Sequence, residues 1–210
     1  MTPQQHNVGS LQSSFQTFEL KHFDQKTLVV NSECLRGNPL GDPTTRFNPV
    51  LIPKSPPPAD GWPVVLILSG FTGNGTNAFN VKTFETNTPQ TLDLCVDRGE
   101  APSALYVFCD AMTAWGGSQF LNSAGTGRYE DYIVNELCEL IRTTLPSSRN
   151  HEKWCVAGGS SGGYGALHLV TCAAAGKTPR FSHAIAIAPD SFLRPVSFRI
   201  FGRLFRLSPR

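Results

Sequence analysis

A chain of 210 residues, 40% hydrophobic and 16% charged, is long enough to bury one globular core and too apolar to stay disordered. Its formal net charge of +2 gives no electrostatic reason to expect nucleic acid or a membrane surface as partner, which leaves a small molecule as the expected ligand. The six cysteines, at 34, 95, 109, 138, 155 and 172, stand singly, with no CxxC pair and no Cys/His cluster at ligand spacing, so neither a disulfide framework nor a metal site is expected.

The opening, MTPQQHNVGSLQSS, is polar and lacks the basic start and apolar stretch of a secretion signal, and no apolar segment approaches the roughly 20 residues that cross a bilayer. These features predict a cytoplasmic protein with residues 1–13 as a disordered tail. Partial alternation over 14–23 and 27–35 predicts an antiparallel hairpin, and 46–54 a further strand. Residues 63–69 are continuously apolar, as a strand covered on both faces of a parallel sheet should be. Loop and helix then follow over 77–98, a strand at 103–109, a helix at 129–145, a strand at 153–158, a helix from 162 to about 175 and a strand at 181–188. The helix at 129 rests on Tyr132, Ile133, Leu137, Leu140 and Ile141 recurring at helical spacing, and Pro146 marks its end. Strand and helix alternating this way predict an α/β sandwich with a mostly parallel sheet.

The string Gly158-Gly159-Ser160-Ser161-Gly162-Gly163-Tyr164-Gly165 carries the chemistry. Gly159, Ser161 and Gly163 match G-x-S-x-G, between an apolar strand and a small-residue helix, where a serine is held on a tight turn with its hydroxyl above the sheet. Ser161 is the nucleophile in this reading, and the helix amino terminus supplies N–H groups for an oxyanion, beginning with Gly162. A second donor is expected from the loop Ser69-Gly70-Phe71-Thr72-Gly73-Asn74, through the N–H of Phe71 or Thr72. An ordinary Gly/Ser-rich turn, or a dinucleotide cradle with Asp190 as its acidic residue, remains the competing reading. Gly176-Lys177-Thr178 imitates the end of a phosphate-binding loop, but Thr171 stands where its leading glycine belongs. Asn74-Gly75-Thr76 is a glycosylation sequon without a secretion signal ahead of it.

Beyond the elbow, Leu68-Ser69-Gly70-Phe71-Thr72, Gly116-Gly117-Ser118-Gln119, the stretch 122–131 and Gly159 to Ala166 together resemble the Putative esterase family of α/β-hydrolases, which includes S-formylglutathione hydrolase, feruloyl esterase and enterochelin esterase-like proteins. The likeness covers roughly residues 45–192. It implies a three-layer α/β/α sandwich and cofactor-free hydrolysis of a carboxylic ester or thioester. It also implies Ser161 as nucleophile, oxyanion donors at Phe71 and Gly162, and a substrate lying by Gly70, Thr72, Asp110, Trp115 and Ser160. Glu130 and Asp131 are expected to be first-turn helix charges rather than catalytic groups.

In such a fold the triad acid and histidine follow the serine in chain order. Here 49 residues follow Ser161, and the stretch from Phe192 to Arg210 carries five arginines and no acidic residue. The expectation is an incomplete core over 14–192 with a divergent basic tail at 193–210, of which 198–207 would be a surface helix in the blander reading. Impaired turnover follows from that expectation. The competing hypothesis is a non-catalytic product or binding module that keeps an esterase-like pocket.

Overall fold

The computed structural model describes residues 9–13, 18–174 and 181–190. The expected basic tail, the helix at 198–207 and Gly176-Lys177-Thr178 lie outside those residues. Seven strands, β1 (Gly9–Ser13), β2 (Phe23–Asn31), β3 (Thr45–Pro53), β4 (Val64–Leu68), β5 (Leu105–Phe108), β6 (Trp154–Gly159) and β7 (His183–Ile187), form one sheet in the order β1-β2-β3-β5-β4-β6-β7. β5, β4, β6 and β7 run parallel, while β1, β2 and β3 continue the sheet antiparallel from β5.

The period of two in the central strands divides the core into two layers. Val64, Leu66 and Leu68 of β4, with Leu105 and Val107 of β5, pack on one face against Tyr132, Ile133, Leu137, Ile141 and Leu169. Val65 and Ile67, with Tyr106 and Phe108, pack on the other face beside Phe79, Leu92 and Val96. Helix α1 (Thr88–Asp97) covers the second face, opened by a reciprocal cap between Asn87 and Gln90. The first face is covered by α2 (Tyr129–Asp131), a π segment (Tyr132–Leu137), α3 (Cys138–Thr144) and α4 (Ser161–Ala174). The three-layer sandwich is therefore present.

Three expectations change. The first strand is Gly9–Ser13, paired with 26–30 of β2, while of the expected strand at 14–23 residues 18–22 form no strand and 14–17 lie outside the described residues. Its sequence, GSLQS, is mostly polar because it lies at the sheet edge, so no apolar alternation announced it, and the unstructured tail cannot extend to residue 13. The helix at 129 is interrupted by the π segment, where the N–H of Cys138 reaches the carbonyl of Ile133. That widened turn carries Glu136, which accepts hydrogen bonds from the Ser32 hydroxyl and from the N–H groups of Glu33 and Cys34, at 2.8 and 2.9 Å for the two N–H groups.

The two ends of the sheet differ. At the amino ends of β4 and β6, Trp62 bridges to Ser147, and a cavity of about 520 Å³ opens between the proline-rich turn at 57–61 and residues 146–150. The serine-bearing turn lies at the other end, where β4, β6 and β7 finish.

Candidate active site

Strand β6 runs into α4 with almost no connection, and the sharp turn falls on Ser160, whose φ is +54°. A non-glycine residue held in the left-handed region costs about 1–3 kcal/mol and marks a position fixed by its surroundings. Those surroundings are two glycines. A Cβ on Gly158 would lie 2.4 Å from the carbonyl carbon of Gly162, and one on Gly162 would lie 2.3 Å from the carbonyl oxygen of Leu68. Gly159 has nothing nearer than 3.7 Å, so its lack of a side chain answers no steric demand. The glycines that the turn requires therefore stand two residues before and two after Ser160, not Ser161.

Ser161 occupies the first residue of α4 and is fully buried, with its hydroxyl donating to Gln119 Oε1 at 3.1 Å. The tight turn expected at Ser161 falls instead on Ser160, which is exposed. The Ser160 hydroxyl donates to Asp190 Oδ1 at 3.1 Å, while the Ser160 N–H reaches the Ile187 carbonyl at 3.0 Å and its carbonyl accepts from the Asp190 N–H at 3.3 Å.

Two loops meet the turn. After β4, Gly73 N–H closes on the Gly70 carbonyl at 3.0 Å, and a Cβ on Gly70 would lie 4.0 Å from Ser160 Cβ. The second loop crosses over the first, with Gly117 N–H on the Phe71 carbonyl at 2.7 Å. Gly117 is also close to the buried serine, its ideal Cβ 3.3 Å from Ser161 Oγ, and the Phe71 ring lies against Gly116 at φ +106°. Gln119 and Phe120 follow in left-handed conformation, at φ 57° and 59°. Phe120 is pressed on α4, where a Cβ on Gly165 would lie 2.3 Å from its ring.

A buried polar cluster anchors that second loop from behind. Arg46 donates to the Met112 carbonyl at 2.8 Å and to Tyr129 Oη at 2.7 Å. The Tyr129 hydroxyl donates in turn to Asp42 Oδ2 at 3.0 Å, and Asp42 Oδ1 accepts from the Ala114 N–H at 2.8 Å. Burial pushes the Tyr129 phenol well above its usual range, so it stays a neutral donor. Asp110 belongs to this cluster, 3.7 Å from Arg46 Nη1 and accepting from the Phe47 N–H at 3.3 Å.

The expected site residues therefore separate. Gly70, Phe71, Ser160, Ser161 and Gly162 come together around the turn. Trp115, in the second loop, is 70% exposed, and Thr72 is exposed beside Phe71. Asp110 is held by Arg46 and the backbone of β3. Glu130 is buried and pairs with His168 at 3.0 Å, and Asp131 bonds Arg128. Gln119, the Asp42–Arg46–Tyr129 cluster and the direct bond from Ser160 to Asp190 were not foreseen. The Gly/Ser string holds two overlapping G-x-S-x-G matches one residue apart, and only the contacts of Gly158 and Gly162 separate them.

Residues 44–196 match the model of a family described as Putative esterase. The chain belongs to that family. Among curated proteins, none matches the sequence significantly. Solved structures with the same fold include a ferulic acid esterase, with 19% identity and a TM-score of 0.59 over 81% of this chain and 60% of that one. An S-formylglutathione hydrolase from Agrobacterium tumefaciens is similar at 19% identity and a TM-score of 0.56, over 86% of this chain and 61% of that one. A ferulic acid esterase from the anaerobic fungus Anaeromyces mucronatus, solved with ferulic acid, gives 14% identity and a TM-score of 0.60 over 84% of this chain and 61% of that one. This esterase-family chain thus spans about 60% of the length of the structures it matches.

Proposed function

We propose that this esterase-family chain carries the acyl-transfer site of a carboxylic-ester or thioester hydrolase, with Ser160 rather than Ser161 as the nucleophile. The observation that carries the reading is the positive φ of Ser160 between two glycines that cannot bear a side chain. That geometry lifts one hydroxyl above the end of the sheet and leaves the N–H of the next residue, Ser161, facing the same side. The oxyanion donors then become the N–H groups of Ser161 and Phe71, so the role assigned to Gly162 passes to Ser161, and Gly162 instead makes room for the turn against Leu68.

Ser160 Oγ attacks the substrate carbonyl, the carbonyl oxygen collects the charge between the two N–H groups, and collapse of the tetrahedral state leaves an acyl-serine that water cleaves. No step needs a metal or organic cofactor. Among the described residues, no histidine bonds Ser160. His22 pairs with Asp97 and His168 with Glu130, while His183 opens β7, about 13 Å from Ile187 at 3.3 Å per residue. Small esters or thioesters are the expected substrates. A reducing compartment such as the cytoplasm suits cysteines that stand singly along the chain, Cys34, Cys95, Cys109 and Cys155 among them outside any disulfide.

Hydrolysis of a short p-nitrophenyl ester by the chain, beside its Ser160→Ala and Ser161→Ala variants, tests the reading. Turnover should vanish in the first variant and survive in the second. Loss confined to Ser161→Ala would return the nucleophile to Ser161.

A further inference from the structure

We infer that the cavity at the amino ends of β4 and β6 is a second binding site, remote from the catalytic turn, for a small monocarboxylate with a flat apolar body. At about 520 Å³ it has the volume of a small-molecule site, and every residue lining it is among the described ones. Ser160 lies six residues beyond Trp154, about 20 Å along β6 at 3.3 Å per residue, so a ligand held here does not touch the reacting serine.

Backbone contacts fix the walls. Trp62 N–H donates to the Pro146 carbonyl at 2.7 Å and Ser148 N–H donates to the Trp62 carbonyl at 2.8 Å, which ties the two lining segments edge to edge. Gly61, at φ +86°, is seated so closely that a Cβ there would lie 2.5 Å from the Ser147 carbonyl carbon. Behind them the buried Trp154 donates from Nε1 to the Ser148 carbonyl at 2.7 Å. Pro57, Pro58 and Pro146 contribute rigid rings that have no rotamer freedom to lose when covered. A preformed hollow of this kind keeps the ordering cost of binding low, and its flat ring faces suit a flat ligand body.

The charges around the cavity select the sign of the ligand. Of the lining residues, Asp60 and Arg149 are the ionisable ones. Asp60 is committed to an ion pair with Lys153, whereas the exposed Arg149 side chain forms no ion pair or hydrogen bond among the described residues. Its planar guanidinium matches a carboxylate through two parallel N–H bonds. Asn150, the next lining residue, offers a further donor, since its Nδ2 is engaged only at 3.5 Å, by Glu152 Oε2. Asp60 and Glu152 keep the surroundings from becoming strongly positive, which favours a single negative charge over a phosphate or another polyanion.

The test is isothermal titration of the 210-residue chain with naphthoate, beside naphthamide, which has the same shape without the charge. Naphthoate should bind at one saturable site and naphthamide at least about 10-fold more weakly, because a hydrogen bond to a charged group is lost. Arg149→Gln should weaken naphthoate by a similar factor, and Arg149→Lys should recover part of the loss. Ala59→Trp, which fills the cavity from an exposed lining position, should weaken both ligands. Each variant is first matched to the parent by its urea unfolding midpoint, and both substituted positions are exposed, so folding should be kept. No saturable binding of naphthoate at millimolar concentration would overturn the inference, as would equal binding of the two ligands. Loss in Arg149→Gln with none in Ala59→Trp would put the ligand outside the cavity, and loss in Ala59→Trp alone would leave a cavity that does not read a carboxylate. Either result overturns the assignment.

Discussion

The turn that carries Ser160 and the cluster that anchors the loop over it are built by opposite means. At the turn, shape comes from what is absent: Gly158 and Gly162 leave no room for a Cβ, and the backbone alone sets the serine. Behind the loop, shape comes from side chains that are present, with Arg46, Tyr129 and Asp42 closing a buried chain of hydrogen bonds. A site built from missing atoms should fail completely when one methyl is added. A site built from side-chain bonds should weaken in proportion to the bonds removed.

The sharpest break in that comparison is Gly162→Ala. Its methyl would meet the Leu68 and Ser69 carbonyls at 2.3 and 2.8 Å, so the start of α4 must move off β4. A loss of about 1–3 kcal/mol or more in urea denaturation is expected, with no acylation of Ser160. Gly159→Ala is the control, with its nearest neighbour at 3.7 Å, and both stability and acylation should survive it.

Tyr129→Phe tests the other region. It removes one hydroxyl that bridges Arg46 and Asp42, leaving both charges buried and short of a partner, at a cost of about 1–3 kcal/mol. Acylation should slow but persist, because the loop over Phe71 loosens while the turn itself is untouched. Gln119→Ala should do less again, since it removes one neutral bond to Ser161 worth about 0.5–1.5 kcal/mol.

The contrast also explains what could be read from the sequence. Residues 63–68 and 154–158 are legible as central strands because a strand covered on both faces leaves a run without charged side chains. The glycine-rich turn was legible as a nucleophile elbow because missing side chains are visible in a sequence. Its register was not, since Gly158 and Gly159 look alike as letters and differ only in what a Cβ would meet. The Arg46–Tyr129–Asp42 cluster joins residues 83 and 87 positions apart in pairs, and no local pattern foretells such bonds. The π segment escaped for a related reason: the apolar spacing of 129–145 fits a regular helix, and the extra residue in one turn is set by Glu136 reaching the turn at 32–34.

The smallest expected effect comes from that last contact. Burial, and next the Glu136 carboxylate, push the Cys34 thiol up to about 12 from an ordinary value of 9.0. A group raised in this way stays protonated at pH 8, and its thiolate fraction falls about 10³-fold. Iodoacetamide at pH 8 should therefore modify Cys34 far more slowly in the native chain than in denaturant, and Glu136→Gln should speed the native reaction. Equal rates in native and unfolded protein would contradict this account of the contact.

The central claim concerns one residue of two neighbours, so the most direct measurement locates a covalent adduct. The chain is treated with a fluorophosphonate, digested, and the modified peptide spanning 154–167 fragmented to find which serine carries phosphorus. The account predicts the adduct on Ser160, its formation surviving Ser161→Ala and ending with Ser160→Ala. An adduct on Ser161 would contradict it, because a fully buried hydroxyl bonded to Gln119 would then be the reactive one.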